Sequence, residues 1–165
     1  MTDREAIIDV SDYELERGKP MPDLIHGIIQ ANLSFELKMR YRADYLIASE
    51  VSLATQPDGT TPDVVIYPAF KLNYGNEPAR RTDAPLTCIE IQSPSQPNRD
   101  AGPEEMVAKT HIYFQFGVKS CWVVLPSLRA VMVFDRPGHY TFFYEDDTLR
   151  DPNTGFELPL AAIFA

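Results

Sequence analysis

"LTCIEIQSPS", residues 86–95, is the stretch whose reading decides the fold. Its apolar residues and the stop at Pro94 mark a buried strand. Yet Glu90 and Gln92 stand inside it, and alternation along a strand points both to the same face. A buried carboxylate is costly unless it is paired with a cation or well hydrogen-bonded. The strand therefore carries a charge that needs an explanation.

The surrounding elements follow from pattern. Ser11 and Glu14 form a capping-box signature for a short helix that Gly18 ends. A longer helix is expected over residues 23–42, with Asp23 as its N-cap. "YLIASEVSLATQ" and "TPDVVIYP" are strands joined through the hairpin signal Pro57-Asp58-Gly59-Thr60. Residues 69–84 read as a polar surface loop. A helix over 103–116 closes at Gly117, and "KSCWVVLP", "AVMVFD" and "YTFFYE" are three further strands. "FELPLAAIFA" reads as a short terminal helix. Helices, strands, a helix and more strands make an α/β chain with a mixed central sheet flanked by helices. Its 165 residues suit one domain spanning 1–165.

Composition narrows the function. Apolar residues make up 44%, enough for a packed core. No apolar run is long enough to span a bilayer, and the charged N-terminus lacks a secretory pattern, so a cytoplasmic location is expected. Cys88 and Cys121 lie in apolar strands and read as small buried hydrophobes in a reducing compartment. A net charge of -9 repels nucleic acid at long range, so any such partner must meet a local basic patch, a metal ion or a second protein.

Chemistry concentrates at a few positions. Asp63 opens a strand directly after Pro62, and Glu90 lies in the following strand. If the two strands are neighbours, the carboxylates converge, with the Ile91 carbonyl between Glu90 and Gln92. Mg²⁺ binds one or two carboxylates together with water and phosphate oxygens. Lys109 falls on the apolar side of its helix beside Met106, Tyr113 and Phe116, where it either snorkels or reaches toward the same point. His26 and Gln30, spaced i and i+4 on the first long helix, are secondary candidates to line the site, as is Glu50. Arg80, Arg81 and Arg99 form the best local basic patch for a phosphate backbone. Each has a plainer reading. Asp63 can cap a turn, Glu90 can pair with Lys109 without a metal, and His26 can be a hydrogen-bonded core histidine. Glu50 can be a strand-face charge, and the arginines can be part of a solvated loop.

"TPDVV", then "IEIQSPS", then Lys109 and Tyr113, then "GVKSCWVVLP", resemble the restriction-endonuclease-like PD-(D/E)XK nucleases, and more narrowly their Uma-type ("Uma-two") family. The likeness runs from "YELERGKPMP" to "LPLAAIFA". It implies a restriction-endonuclease-like fold and Mg²⁺- or Mn²⁺-dependent endonuclease cleavage of DNA by metal-activated water. Asp63 and Glu90 match the motif's two acids and would be metal ligands with the Ile91 carbonyl. The motif's usual lysine is replaced by Gln92, which cannot act as a base. Lys109, four residues before Tyr113, matches the helix lysine that substitutes for it in this branch, and Tyr113 joins the secondary candidates. The alternative is a catalytically silent nuclease-fold domain that works through protein–protein or weak DNA contact. A hydrolase of another phosphate ester is a third option. Nucleases that cut both strands pair their sites by two-fold symmetry, so a homodimer is expected.

Overall fold

The computed structural model describes residues 22–93 and 103–165. The expected short helix at Ser11–Gly18, Pro94 and the loop holding Arg99 lie outside the described residues. Helix α1 spans Leu24–Tyr41. Asp23 caps it by accepting the His26 amide at 2.8 Å. His26, Ile29, Leu33 and Leu37 form its buried stripe. The outer side is also partly apolar, with Leu24, Ile28, Phe35 and Met39 exposed.

Six strands form one sheet in chain order: β1 (Tyr45–Ser49), β2 (Val64–Pro68), β3 (Thr87–Ile91), β4 (Ser120–Leu125), β5 (Ala130–Arg136) and β6 (His139–Tyr144). All neighbours are antiparallel except β3 and β4, which run parallel. A parallel pair needs a crossover, and helix α2 (Pro103–Phe116) lies within it. Gly117 ends α2 with φ 115, and the amides of Gly117 and Val118 both bond the Tyr113 carbonyl. Strands β3 and β4 are buried along their whole length, as expected where helices cover both faces of a sheet.

Two cores result. On one face Val64, Ile66, Ile89, Ile91, Trp122 and Val124 pack with α1. On the other, Val65, Tyr67, Cys88, Cys121 and Val123 pack with Met106 and Tyr113 of α2. Cys88 and Cys121 are buried free thiols in register across β3 and β4. Burial pushes both thiols above their usual range, so they are inert packing groups.

Three segments differ in detail from expectation. "YLIASEVSLATQ" is not one strand: pairing stops at Ser49, and Glu50 turns with φ 55. Only Leu53 rejoins, bridging Thr60 across the predicted hairpin turn. "FELPLAAIFA" is only half helical. Glu157–Pro159 forms β8 against β7 (Thr148–Arg150), and one helical turn follows, α3 (Leu160–Ile163). Thr148–Arg150, which no pattern marked, becomes a strand because Leu149 is buried opposite Leu158. The loop over 69–84 is irregular and mostly exposed, as read from composition.

Candidate active site

Strands β2 and β3 are neighbours with Val64 opposite Ile89. One step further along the antiparallel register places Asp63 opposite Glu90. Both carboxylates therefore stand at the same end of adjacent strands, and both residues are buried, Asp63 at 0% and Glu90 at 3% exposure.

Asp63 sits at the bend where β2 begins, and its carboxylate and carbonyl oxygens are all engaged. Oδ1 meets His26 Nε2 at 3.1 Å. Oδ2 accepts the Ile91 amide at 2.7 Å, which ties it to β3 one residue beyond Glu90. Its carbonyl accepts the Glu50 amide at 3.1 Å and Gln30 Nε2 at 3.3 Å. This is far more than a turn cap needs. A carboxylate can be kept dry in this way because donors from α1 and β3 converge on it. His26 Nδ1 is buried and has no hydrogen-bond partner among the described residues. An orphaned ring nitrogen costs about 1–3 kcal/mol, a cost expected at functional sites more than in packing cores.

Glu90 is held from the other side of the sheet. Tyr113 of α2 donates its hydroxyl to Glu90 Oε1. Burial, with the Glu90 charge second, pushes the Tyr113 phenol well above its ordinary range, so it stays a neutral donor. Tyr113 thus belongs both to the core and to the site.

The other expected residues fall as follows. Gln92 is half-buried just past β3, its amide bonded to the Val124 carbonyl at 3.0 Å. Lys109 is half-buried on α2, one turn before Tyr113, and forms no ion pair with Asp63 or Glu90. The metal-free Glu90–Lys109 bridge is therefore not what holds Glu90. Glu50 lies at the bend after β1, beside Asp63 through its backbone, rather than on a strand face. Arg81 is spoken for: its guanidinium bonds Asp83 at 2.9 Å and Glu77 at 2.6 Å and lies over the Tyr67 and Phe70 rings. The Arg81 guanidinium in turn holds the Asp83 carboxyl below its usual range. Arg80 is exposed and bonds the Asp58 carbonyl at 3.0 Å.

The acidic groups at this end of β2 and β3 that could hold a hard cation are the Asp63 and Glu90 carboxylates. Among the described residues no group of three or more His, Cys, Asp or Glu side chains gathers to hold a metal ion. Two carboxylates completed by water and phosphate oxygens fit Mg²⁺, which rarely takes an all-protein cage. They do not fit a structural zinc site. Also among the described residues, no helix is long and apolar enough to cross a membrane.

Sequence reasoning did not single out Lys38 and Arg42 at the end of α1. The signal was present. Arg40 has Glu36 one turn earlier and pairs with it, whereas Lys38 follows Ser34 and Arg42 follows Lys38.

Comparison with known proteins supports the fold. No curated protein matches the chain. A solved structure titled "Crystal structure of a putative nuclease belonging to DUF820" from Anabaena variabilis ATCC 29413 superposes with a TM-score of 0.72. The two share 21% identity over 88% of this chain and 83% of that one, which shows a common fold. The model of the Uma2 family, described as "Putative restriction endonuclease", matches residues 3–161. That match spans nearly the whole chain, and the protein belongs to the Uma2 family.

Proposed function

We propose that the protein is a metal-dependent DNA endonuclease with Asp63 and Glu90 at its catalytic centre. The observation that carries this reading is the pair of buried carboxylates at one end of β2 and β3, each immobilised by a different helix. A bound Mg²⁺ or Mn²⁺ would supply Lewis acidity, activating water and neutralising charge on the scissile phosphate. The chain's own part is to preset the geometry. His26 and the Ile91 amide fix the Asp63 rotamer, and Tyr113 fixes Glu90, so little reorganisation is needed when substrate arrives. The Ile91 carbonyl, one residue beyond Glu90, would be the backbone oxygen to join the two carboxylates. Gln92 orients water without exchanging a proton. Gln30 and Glu50 brace the Asp63 backbone.

Lys109 is the cation we assign to the attacking water or the phosphate. It is half-buried and its ammonium is held by no described carboxylate, so it is available to swing toward an anion. Lys109→Ala is expected to lower the rate about 10²-fold with an unchanged fold, and Lys109→Arg to retain part of it. Single-turnover cleavage beside a circular-dichroism melt checks this. Equal rates for Lys109→Ala and wild type would remove the role.

The direct test of function is nicking of supercoiled plasmid in Mg²⁺ or Mn²⁺, with a chelator control. The second reading, a silent nuclease-fold domain, draws on Gln92 standing where the lysine is expected. A purified, folded chain that nicks nothing with either ion favours it. Two copies are expected to pair, because cutting both strands needs two sites. The exposed Leu24, Ile28, Phe35 and Met39 on α1 supply apolar area of the kind such an interface buries. Sedimentation equilibrium should give twice the chain mass, and a monomer at micromolar concentration would rule the pairing out. We place the protein in the cytoplasm, where two buried free thiols stay reduced.

A further inference from the structure

A groove of about 520 Å³ runs along the outer edge of β1. Its floor is Leu46, Ile47 and Ala48, and its far wall is built by Phe70, Leu72 and Tyr74 of the loop. The Phe70 end of that wall is anchored. Arg81 lies over the Tyr67 and Phe70 rings at 5.2 and 4.9 Å, and the Tyr67 hydroxyl donates to the Asp83 carbonyl at 3.0 Å. Tyr74 is 95% exposed, so its ring is not there to fill the core. At the other side stand Lys38 and Arg42, from the end of α1.

The charges lining the groove are three cations against one carboxylate, Glu77, in a chain of net charge -9. Glu77 is consumed by Arg81. Among the described residues Lys38 and Arg42 make no ion pair with any side chain, which leaves both positive charges available there. An apolar floor, exposed aromatic rings and unpaired cations on one rim are the combination that holds a single nucleic-acid strand. The rings stack on bases and the cations follow the backbone. A duplex fits less well, since its bases are already stacked and offer no free face to Tyr74.

The groove also adjoins the backbone that meets Asp63. Val51 is part of its lining, and Glu50, one residue earlier, bonds the Asp63 carbonyl through its amide. We propose that the groove along β1 binds a few nucleotides of single-stranded nucleic acid and feeds the strand toward Asp63 and Glu90. Lys38 and Arg42 contact phosphates, and Tyr74 and Phe70 stack bases. This rests on the nuclease reading for its purpose but is tested without it.

The test is fluorescence anisotropy with a labelled oligothymidylate in chelator, so that no cleavage intervenes. Wild type, the Lys38→Ala/Arg42→Ala double variant and Tyr74→Ala are compared, all altered at exposed positions that leave both cores intact. Wild type should bind the strand more tightly than the matching duplex. The double variant should bind at least tenfold more weakly, with a salt dependence shallower by about 1.4 in log–log slope for two lost phosphate contacts. Tyr74→Ala should lose about tenfold. No binding by wild type, unchanged binding by the double variant, or a preference for duplex overturns the proposal. So does displacement of the strand by self-association through the open edge of β1. Binding with these losses but no nicking would leave the groove standing and remove the nuclease. Nicking with unchanged binding by the double variant would do the reverse.

Discussion

Asp63→Asn and Glu90→Gln should each reduce metal-dependent plasmid nicking by at least about 10³-fold, to the level of the chelator control. These amides are chosen over alanine for a physical reason. Asp63→Ala would strand the buried His26 Nε2 and the Ile91 amide, and breaking one side of such a buried pair costs about 3–5 kcal/mol. Loss of activity would then be confused with loss of fold. Asn and Gln keep the volume and one acceptor oxygen, so Tyr113 still has a partner at position 90 and one of the two donors to Asp63 keeps its acceptor, whereas alanine strands both. What they remove is the negative charge, which is the property the proposed centre uses. Both variants should therefore keep a native circular-dichroism spectrum while losing the reaction. Wild-type nicking by either would show that its carboxylate has no part in the reaction.

The largest expected loss of stability lies elsewhere. Trp122 of β4 is fully buried, and its indole N–H donates to Asp151 Oδ2 at 2.8 Å. Asp151 is itself 0% exposed, with Oδ1 accepting the Asn153 amide at 3.0 Å. Trp122→Ala empties the centre of the α1-side core and removes the donor to a buried carboxylate. Removal of a large aromatic alone costs about 3–5 kcal/mol. Trp122→Phe keeps most of the packing and removes the hydrogen bond, so it should cost about 1–3 kcal/mol. Urea unfolding should place the three proteins in the order wild type, Phe, Ala. Equal midpoints for Trp122→Phe and wild type would show that Asp151 does not depend on the indole.

Much of this was legible in the sequence, and the reasons are local. Asp23 capped its helix because N-cap chemistry involves only the first turn. Glu90 announced itself because a charge inside an apolar strand breaks a strong pattern. Tyr113, half core and half site, was harder, since burial and function use the same ring. The misreadings also have causes. In "FELPL" the buried residues Phe156, Leu158 and Leu160 alternate, a period-two signal masked by the helix-forming "LAAI" that follows. Strand β1 ends at Glu50 because of a positive φ, which an acidic residue does not advertise. Arg81 looked like a free cation in a loop, but Glu77 and Asp83 neutralise it. Lys38 and Arg42 carry no local mark of a site, and only tertiary structure shows that they rim a groove. Pairing across the sheet was beyond reach as well. That Asp63 faces Glu90 depends on register, which no single strand encodes.

The central claim is that two carboxylates on adjacent strands hold one divalent cation. Calorimetric titration of Mn²⁺ into wild type and into the Asp63→Asn/Glu90→Gln chain tests it without DNA. The account predicts saturable binding at a site in wild type that is absent from the variant. Identical titrations of the two folded proteins, or no binding to wild type, would contradict it.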